Sequence, residues 1–96
     1  MDYRRLVEAI PVVKREPLLN KLIDLIFSSK NDEKMPSQLA NTILLHWQND
    51  ILITEAGLTA LLEAAILLEP EKTIEVFTQL ELAGFVEQIK EAAAKT

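Results

Sequence analysis

The 96-residue chain contains no cysteine, one histidine and only two glycines, Gly57 and Gly84. Without cysteine it can form no disulfide, no thiolate metal site and no cysteine nucleophile. His46 alone cannot build a zinc site, because such sites need three or four nitrogen, sulfur or oxygen ligands. Two isolated glycines cannot form a phosphate-binding loop, and no serine lies in a G-x-S-x-G motif. The sequence therefore predicts no cofactor, no metal site, no evident small-molecule substrate and no catalytic activity.

Long uninterrupted apolar runs are also missing. The most apolar stretch, residues 56–68, contains Glu63 and is shorter than the ~20 residues that a membrane-spanning helix requires. Two arginines near the N-terminus resemble the start of a signal peptide, but Glu8 and Pro11 interrupt the apolar run that would have to follow. We therefore expect a cytoplasmic protein without membrane association.

Charge is distributed unevenly along the chain. Residues 1–30 hold six basic and four acidic side chains, a net charge of +2, whereas residues 31–96 hold four basic and eleven acidic side chains, a net charge of −7. Net acidity disfavours nucleic-acid binding, because affinity for phosphate comes mainly from Lys and Arg. We therefore do not expect nucleic acid as a partner. A basic face near the N-terminus stays an alternative to ordinary solvated helix surface.

The residues that are abundant are those typical of helices. Leu, Ala, Glu and Lys dominate, and apolar side chains recur three and four positions apart. This pattern predicts one all-α domain over residues 1–96, a compact antiparallel bundle of four to five helices. The helices are predicted at residues 2–10, 17–29, 36–48 and 54–69 and from residue 70 onward, with prolines near most of these boundaries.

The last helix is predicted to break near Gly84. The apolar stripe that contains Phe77 and the one that contains Ile89 point about 150° apart at ~100° per residue, so a straight helix would expose one of them. Gly84 lies at the junction and is suited to the left-handed position that follows a helix end. We predict a break or sharp kink at Ala83–Gly84 and then a short helix to about Ala94.

The fourth predicted helix is apolar around nearly its whole circumference and is expected to be central. It carries a strip of small side chains, Ala56, Ala60 and Ala64, which would let a second helix approach closely. Glu63 is the only charged residue between positions 56 and 68. We weigh two interpretations of Glu63: a side chain that reaches solvent, or a carboxylate buried and paired across an interface.

The aromatic residues are interpreted chiefly as core, because they carry large areas and fall on predicted inner faces. For Trp47, at the end of the third helix, a partner-binding anchor is the alternative. The residues assigned to the core in this way are Phe27, Phe77, Phe85 and Trp47, with Leu39, Ala40, Ile43 and Leu44 on the buried side of the third helix.

Together these features favour a small non-catalytic protein–protein interaction or assembly module. The apolar content of 49% supports a partner or self-association, although a tightly packed monomer is the alternative. A helix-turn-helix DNA-binding regulator is the other alternative, but its recognition helix would carry no Lys or Arg. In composition alone the chain resembles small proteins of thermophilic archaea, which implies no function. The candidate partner-binding residues are Trp47, Ala56, Ala60, Glu63 and Ala64.

Overall fold

The computed structural model describes residues 3–30, 33, 35–48 and 55–95, with only the backbone for residues 46–48. Within these ranges the chain forms six α-helices and a short 3-10 helix before the last of them, without a strand, which confirms the predicted all-α bundle. No helix in the described part of the chain is both long and apolar enough to cross a membrane. The elements are α1 (Tyr3–Ala9), α2 (Val12–Phe27), α3 (Ser37–Gln48), α4 (Glu55–Leu68), α5 (Pro70–Gln79), the 3-10 helix (Ala83–Phe85) and α6 (Val86–Ala94).

α4 is the central helix and packs against α1, α2, α3, α5 and α6. Nine of its fourteen residues are buried, as its apolar circumference predicted. The surrounding helices each turn one apolar stripe toward it. Leu18 and Leu22 of α2, Phe77 of α5 and Ile89 of α6 are all fully buried in the same core. Burial of side chains of this size contributes about 1.5–3 kcal/mol each, so the core around α4 dominates the stability of the fold.

α2 begins five residues earlier than predicted, and Pro17 lies inside it. Residues 12–16, expected from the sequence to be a short link or one more helical turn, form the first part of α2. Pro17 leaves the Val13 carbonyl without its usual donor, but the helical turn before it brings Arg15 against two other helices. One Arg15 guanidinium nitrogen donates to the Val7 carbonyl at 3.4 Å, and the other lies 3.5 Å from the Glu55 carboxylate. These contacts help to offset the cost of an internal proline.

Two expectations about the core are corrected by the structure. Ile43 is buried and Leu39 half-buried, but Ala40 and Leu44 are exposed. Phe27 is 66% exposed rather than part of the core. The physical reason is that α3 packs chiefly against a single neighbour, α4, so that only one narrow stripe of it is covered. Phe27 lies at the last position of α2, beyond the buried Leu25 and Ile26.

The predicted break near Gly84 is confirmed, but Gly84 does not cause it. α5 ends in a Schellman motif, in which the Leu82 N–H donates to the Phe77 carbonyl at 2.8 Å and the Glu81 N–H to the Thr78 carbonyl at 3.2 Å. The left-handed residue of this motif is Glu81, with φ of 62°. Gly84 has no positive φ and lies in the 3-10 helix that leads into α6. Leu82 and Phe77 are both buried, the apolar contact that accompanies such helix ends.

Candidate partner-binding groove

A groove of about 590 Å³ lies between α1 and α3, with α4 as its floor. It exists because α1 and α3 each pack against α4 and leave a gap between them. We call this gap the α1–α3 groove. It is lined by Tyr3 and Arg4 of α1, by Pro36, Gln38, Leu39 and Thr42 at the start of α3, and by Ala56, Thr59, Ala60, Glu63 and Leu67 of α4.

The floor of the groove is formed mainly by one stripe of α4. Ala56, Ala60, Glu63 and Leu67 are spaced four, three and four residues apart, which is the spacing of residues that meet a neighbouring helix in coiled-coil packing. The first two positions carry only a methyl group. Such positions allow a second helix to approach near the short end of the usual ~8–10 Å between helix axes. The stripe therefore has the shape of a helix-packing surface.

The groove brings together three of the five residues predicted to bind a partner: Ala56, Ala60 and Glu63. Ala64 is fully buried and packs in the core instead, so it is not available to a partner while the bundle is closed. Trp47 has its side chain outside the described part of the structure. The alanine strip predicted from the sequence thus runs from the exposed Ala56, through Ala60, which lines the groove but is only 5% exposed, to the fully buried Ala64.

Sequence reasoning did not single out Leu67 or Tyr3 as candidate site residues. Leu67 could have been found from its spacing of four residues after Glu63. Tyr3 could not, because its place in the groove depends on where α1 packs against α4.

Two of the polar side chains in the groove are engaged locally. The Thr42 hydroxyl donates to the Gln38 carbonyl at 2.9 Å, and the Thr59 hydroxyl donates to the Glu55 carbonyl at 2.6 Å. Each threonine thereby binds its own helix backbone one turn earlier and presents its methyl group to other contacts. The groove surface at these two threonines is consequently less polar than the residue type suggests.

Glu63 and Arg4 are the charged residues that line the groove, and Glu63 also acts on Tyr3. Tyr3 is half-buried, and this burial raises the pKa of its hydroxyl above the ordinary value of 10.0, with the negative charge of Glu63 raising it further. Glu63 itself is exposed. No Lys or Arg nitrogen in the described part of the chain lies within 4.0 Å of its carboxylate. In the isolated chain Glu63 therefore reaches solvent and is not a buried, paired carboxylate.

The other chemistry considered from the sequence finds no support in the described residues. Among the side chains of residues 3–30, 33, 35–45 and 55–95, no three carboxylates converge in a way that could hold a metal ion. The His46 side chain lies outside the described part of the structure. The largest exposed apolar side chains are away from the groove: Val12, Val13, Phe27, Leu44 and Leu45.

Comparison with known proteins adds no relative. No protein-family model matches the chain, and no curated protein and no solved structure matches it. A functional interpretation must therefore come from the shape and chemistry of the α1–α3 groove.

Proposed function

We propose that this chain is a non-catalytic helical interaction module whose α1–α3 groove receives a helix of a partner protein. The observation that carries the proposal is the stripe of α4 with helix-packing spacing that lines the groove between α1 and α3, in which Ala56 and Glu63 are exposed. The absence of cysteine fits a reducing compartment, and we propose that the module works in the cytoplasm.

The dimensions of the groove support a helix as the occupant. The stripe from Ala56 to Leu67 is about 16 Å long at ~1.5 Å per residue, the length of three helical turns. Peptide helices bind grooves of this kind through anchor residues at i, i+3, i+4 and i+7, and three turns accommodate such a set. The groove volume of about 590 Å³ gives room for these side chains over the small Ala56 and Ala60.

The DNA-binding alternative has less support. A recognition helix must expose one face to the major groove of DNA. α4 would be that helix, but it is buried on most of its circumference, and its exposed residues are Glu55, Ala56 and Glu63. Glu55 and Glu63 are negatively charged, and the phosphates of DNA repel such side chains.

The proposal is tested by filling the groove. Peptides are selected from a displayed library of about 14-residue amphipathic helices against the unmodified protein, and their affinities are then measured by fluorescence anisotropy. Ala56→Leu inserts an isobutyl group at an exposed position of the floor, and we expect it to weaken the selected peptides about tenfold or more.

Ala94→Leu is the matched control, because Ala94 is also an exposed helical alanine but lies on α6, outside the groove. Circular dichroism is used to check that both variants remain folded. A library that yields no binder, or binders equally tight to the Ala56→Leu variant, would overturn the proposed function.

A further inference from the structure

We infer that the helix received by the α1–α3 groove carries a lysine or arginine that is placed against Glu63 and Tyr3. This inference rests on the proposed function and specifies the chemistry of the partner. It follows from the position of the Glu63 carboxylate in the groove and from the loss of water around this carboxylate when a helix covers the groove.

Glu63 lies inside the floor stripe, seven residues after Ala56 and four before Leu67. A helix packed along this stripe would remove water from the Glu63 carboxylate. Burying an ionised carboxylate without a partner is costly, by several kcal/mol in proteins. The described residues place no Lys or Arg nitrogen within 4.0 Å of the carboxylate, so a cation on the incoming helix would supply the compensating charge.

Tyr3 supplies the second half of the cation site. It lines the same groove from α1, and Glu63 is near enough for its charge to act on the tyrosine hydroxyl. A carboxylate and an aromatic ring that line the same groove can bind an ammonium or guanidinium group by an ion pair together with a cation–π contact. The tyrosine stays neutral at physiological pH, so the ring and its hydroxyl retain this role.

Arg4 limits how basic the partner helix can be. It lines the groove next to Tyr3 and adds a positive charge to the α1 wall. Like charges placed together across an interface disfavour binding. The groove is thus complementary to one cation within an otherwise small and apolar helix face, rather than to a run of basic residues.

A second copy of the chain is a poorer match for this pattern. The exposed apolar side chains that a second copy could offer are Val12, Val13 and Phe27 of α2 and Leu44 and Leu45 of α3. Those of α2 lie at opposite ends of the helix with the exposed Glu16, Asn20 and Asp24 between them, so they form no continuous apolar stripe. Those of α3 have no Lys or Arg in the same helix to accompany them. A foreign helix with a basic residue is therefore the occupant that the groove favours.

The same peptide selection tests this inference separately from the proposed function. We expect the selected peptides to share a Lys or Arg at one helical position, and Glu63→Gln to weaken them about tenfold. Glu63→Lys should abolish binding of these peptides and restore it for peptides in which the shared basic residue is replaced by Glu. Glu75→Gln on α5, an exposed carboxylate outside the groove, is the matched control and should change nothing.

The outcomes separate the two ideas. Peptides that lose affinity for the Ala56→Leu variant but show no shared basic residue, or that bind the Glu63→Gln variant as tightly as the unmodified protein, would overturn the cation inference and leave the groove proposal standing. Peptides that ignore Ala56→Leu would overturn the groove proposal itself. Light scattering provides a further check: a dimer that Ala56→Leu dissociates would make a second copy the occupant and would overturn the inference.

Discussion

Replacing Glu81 by glycine is expected to stabilise the protein, although it removes a side chain and an ion pair. The φ of 62° at Glu81 costs a residue with a Cβ atom about 1–2 kcal/mol, a cost that glycine avoids. The Glu81 carboxylate lies 3.8 Å from the Lys14 ammonium, but its side chain is 88% exposed, so the lost ion pair is worth little. Glycine also has more conformational freedom in the unfolded chain, which reduces this gain in stability by roughly half. We expect a net stabilisation of about 0.5–1 kcal/mol.

Gly84→Ala provides the opposing test three residues later. Gly84 has no positive φ, and a Cβ atom added there would meet no atom within 4 Å. Alanine therefore fits the folded chain and reduces the freedom of the unfolded one, which should stabilise the protein by about 0.4–1 kcal/mol. If Gly84 were the left-handed residue, as its place in the sequence indicates, the same substitution would destabilise the protein by about 1 kcal/mol.

The two variants are measured by thermal and urea unfolding, followed by circular dichroism. For a domain of this size 1 kcal/mol corresponds to a change in Tm of roughly 4–8 °C, so both effects are resolvable. Glu75→Gly, in the middle of α5, is the control and should lose about 1 kcal/mol, because glycine weakens a helix interior. A Tm lowered by Gly84→Ala and unchanged by Glu81→Gly would refute Glu81 as the left-handed residue at the end of α5.

Three further predictions address the core, the interhelical arginine and the groove. Phe77→Ala should lower the free energy of unfolding in urea by about 3–5 kcal/mol, and Phe27→Ala by about 1 kcal/mol or less, because Phe77 is fully buried and Phe27 is 66% exposed. Equal losses for the two variants would contradict the difference in burial. Arg15→Ala should lower the free energy of unfolding by about 2 kcal/mol. Arg15→Met should lower it by less, because methionine keeps an apolar stem to pack and removes the guanidinium Nε, which is buried without a partner among the described residues. Tyr3 is the only tyrosine, so absorbance near 295 nm should show one phenol titrating above its ordinary pKa, with Glu63→Gln lowering that pKa. Since the pKa of Tyr3 is higher in the folded than in the unfolded state, the contribution of Tyr3 to stability is complete below about pH 10 and is lost as the pH rises through the folded-state pKa. Tyr3→Phe should remove that loss of stability. A Tyr3 pKa that Glu63→Gln leaves unchanged would contradict the proximity of the two side chains.

The sequence determined the helical class of the protein and several of its helix boundaries. Pro70 opens α5 and Pro36 immediately precedes α3, because proline fits the beginning of a helix and cannot continue one. The all-round apolar pattern of residues 55–68 identified α4 as the central helix. The same pattern marked Ala56, Ala60 and Glu63 as unusual positions, since small side chains and a lone charge in an apolar helix are visible without coordinates.

Tertiary packing decided which apolar residues are covered and where the groove lies. Phe27 and Leu44 have the right spacing for a core but remain exposed, because coverage depends on how many neighbours a helix has. Pro17 is tolerated inside α2, where the surrounding contacts offset its cost. The alanine strip of α4 is divided between groove and core by the positions of α1 and α3, which are set by contacts between residues far apart in the chain. Local chemistry fixes the helices, whereas the surface that they leave open is a property of their packing.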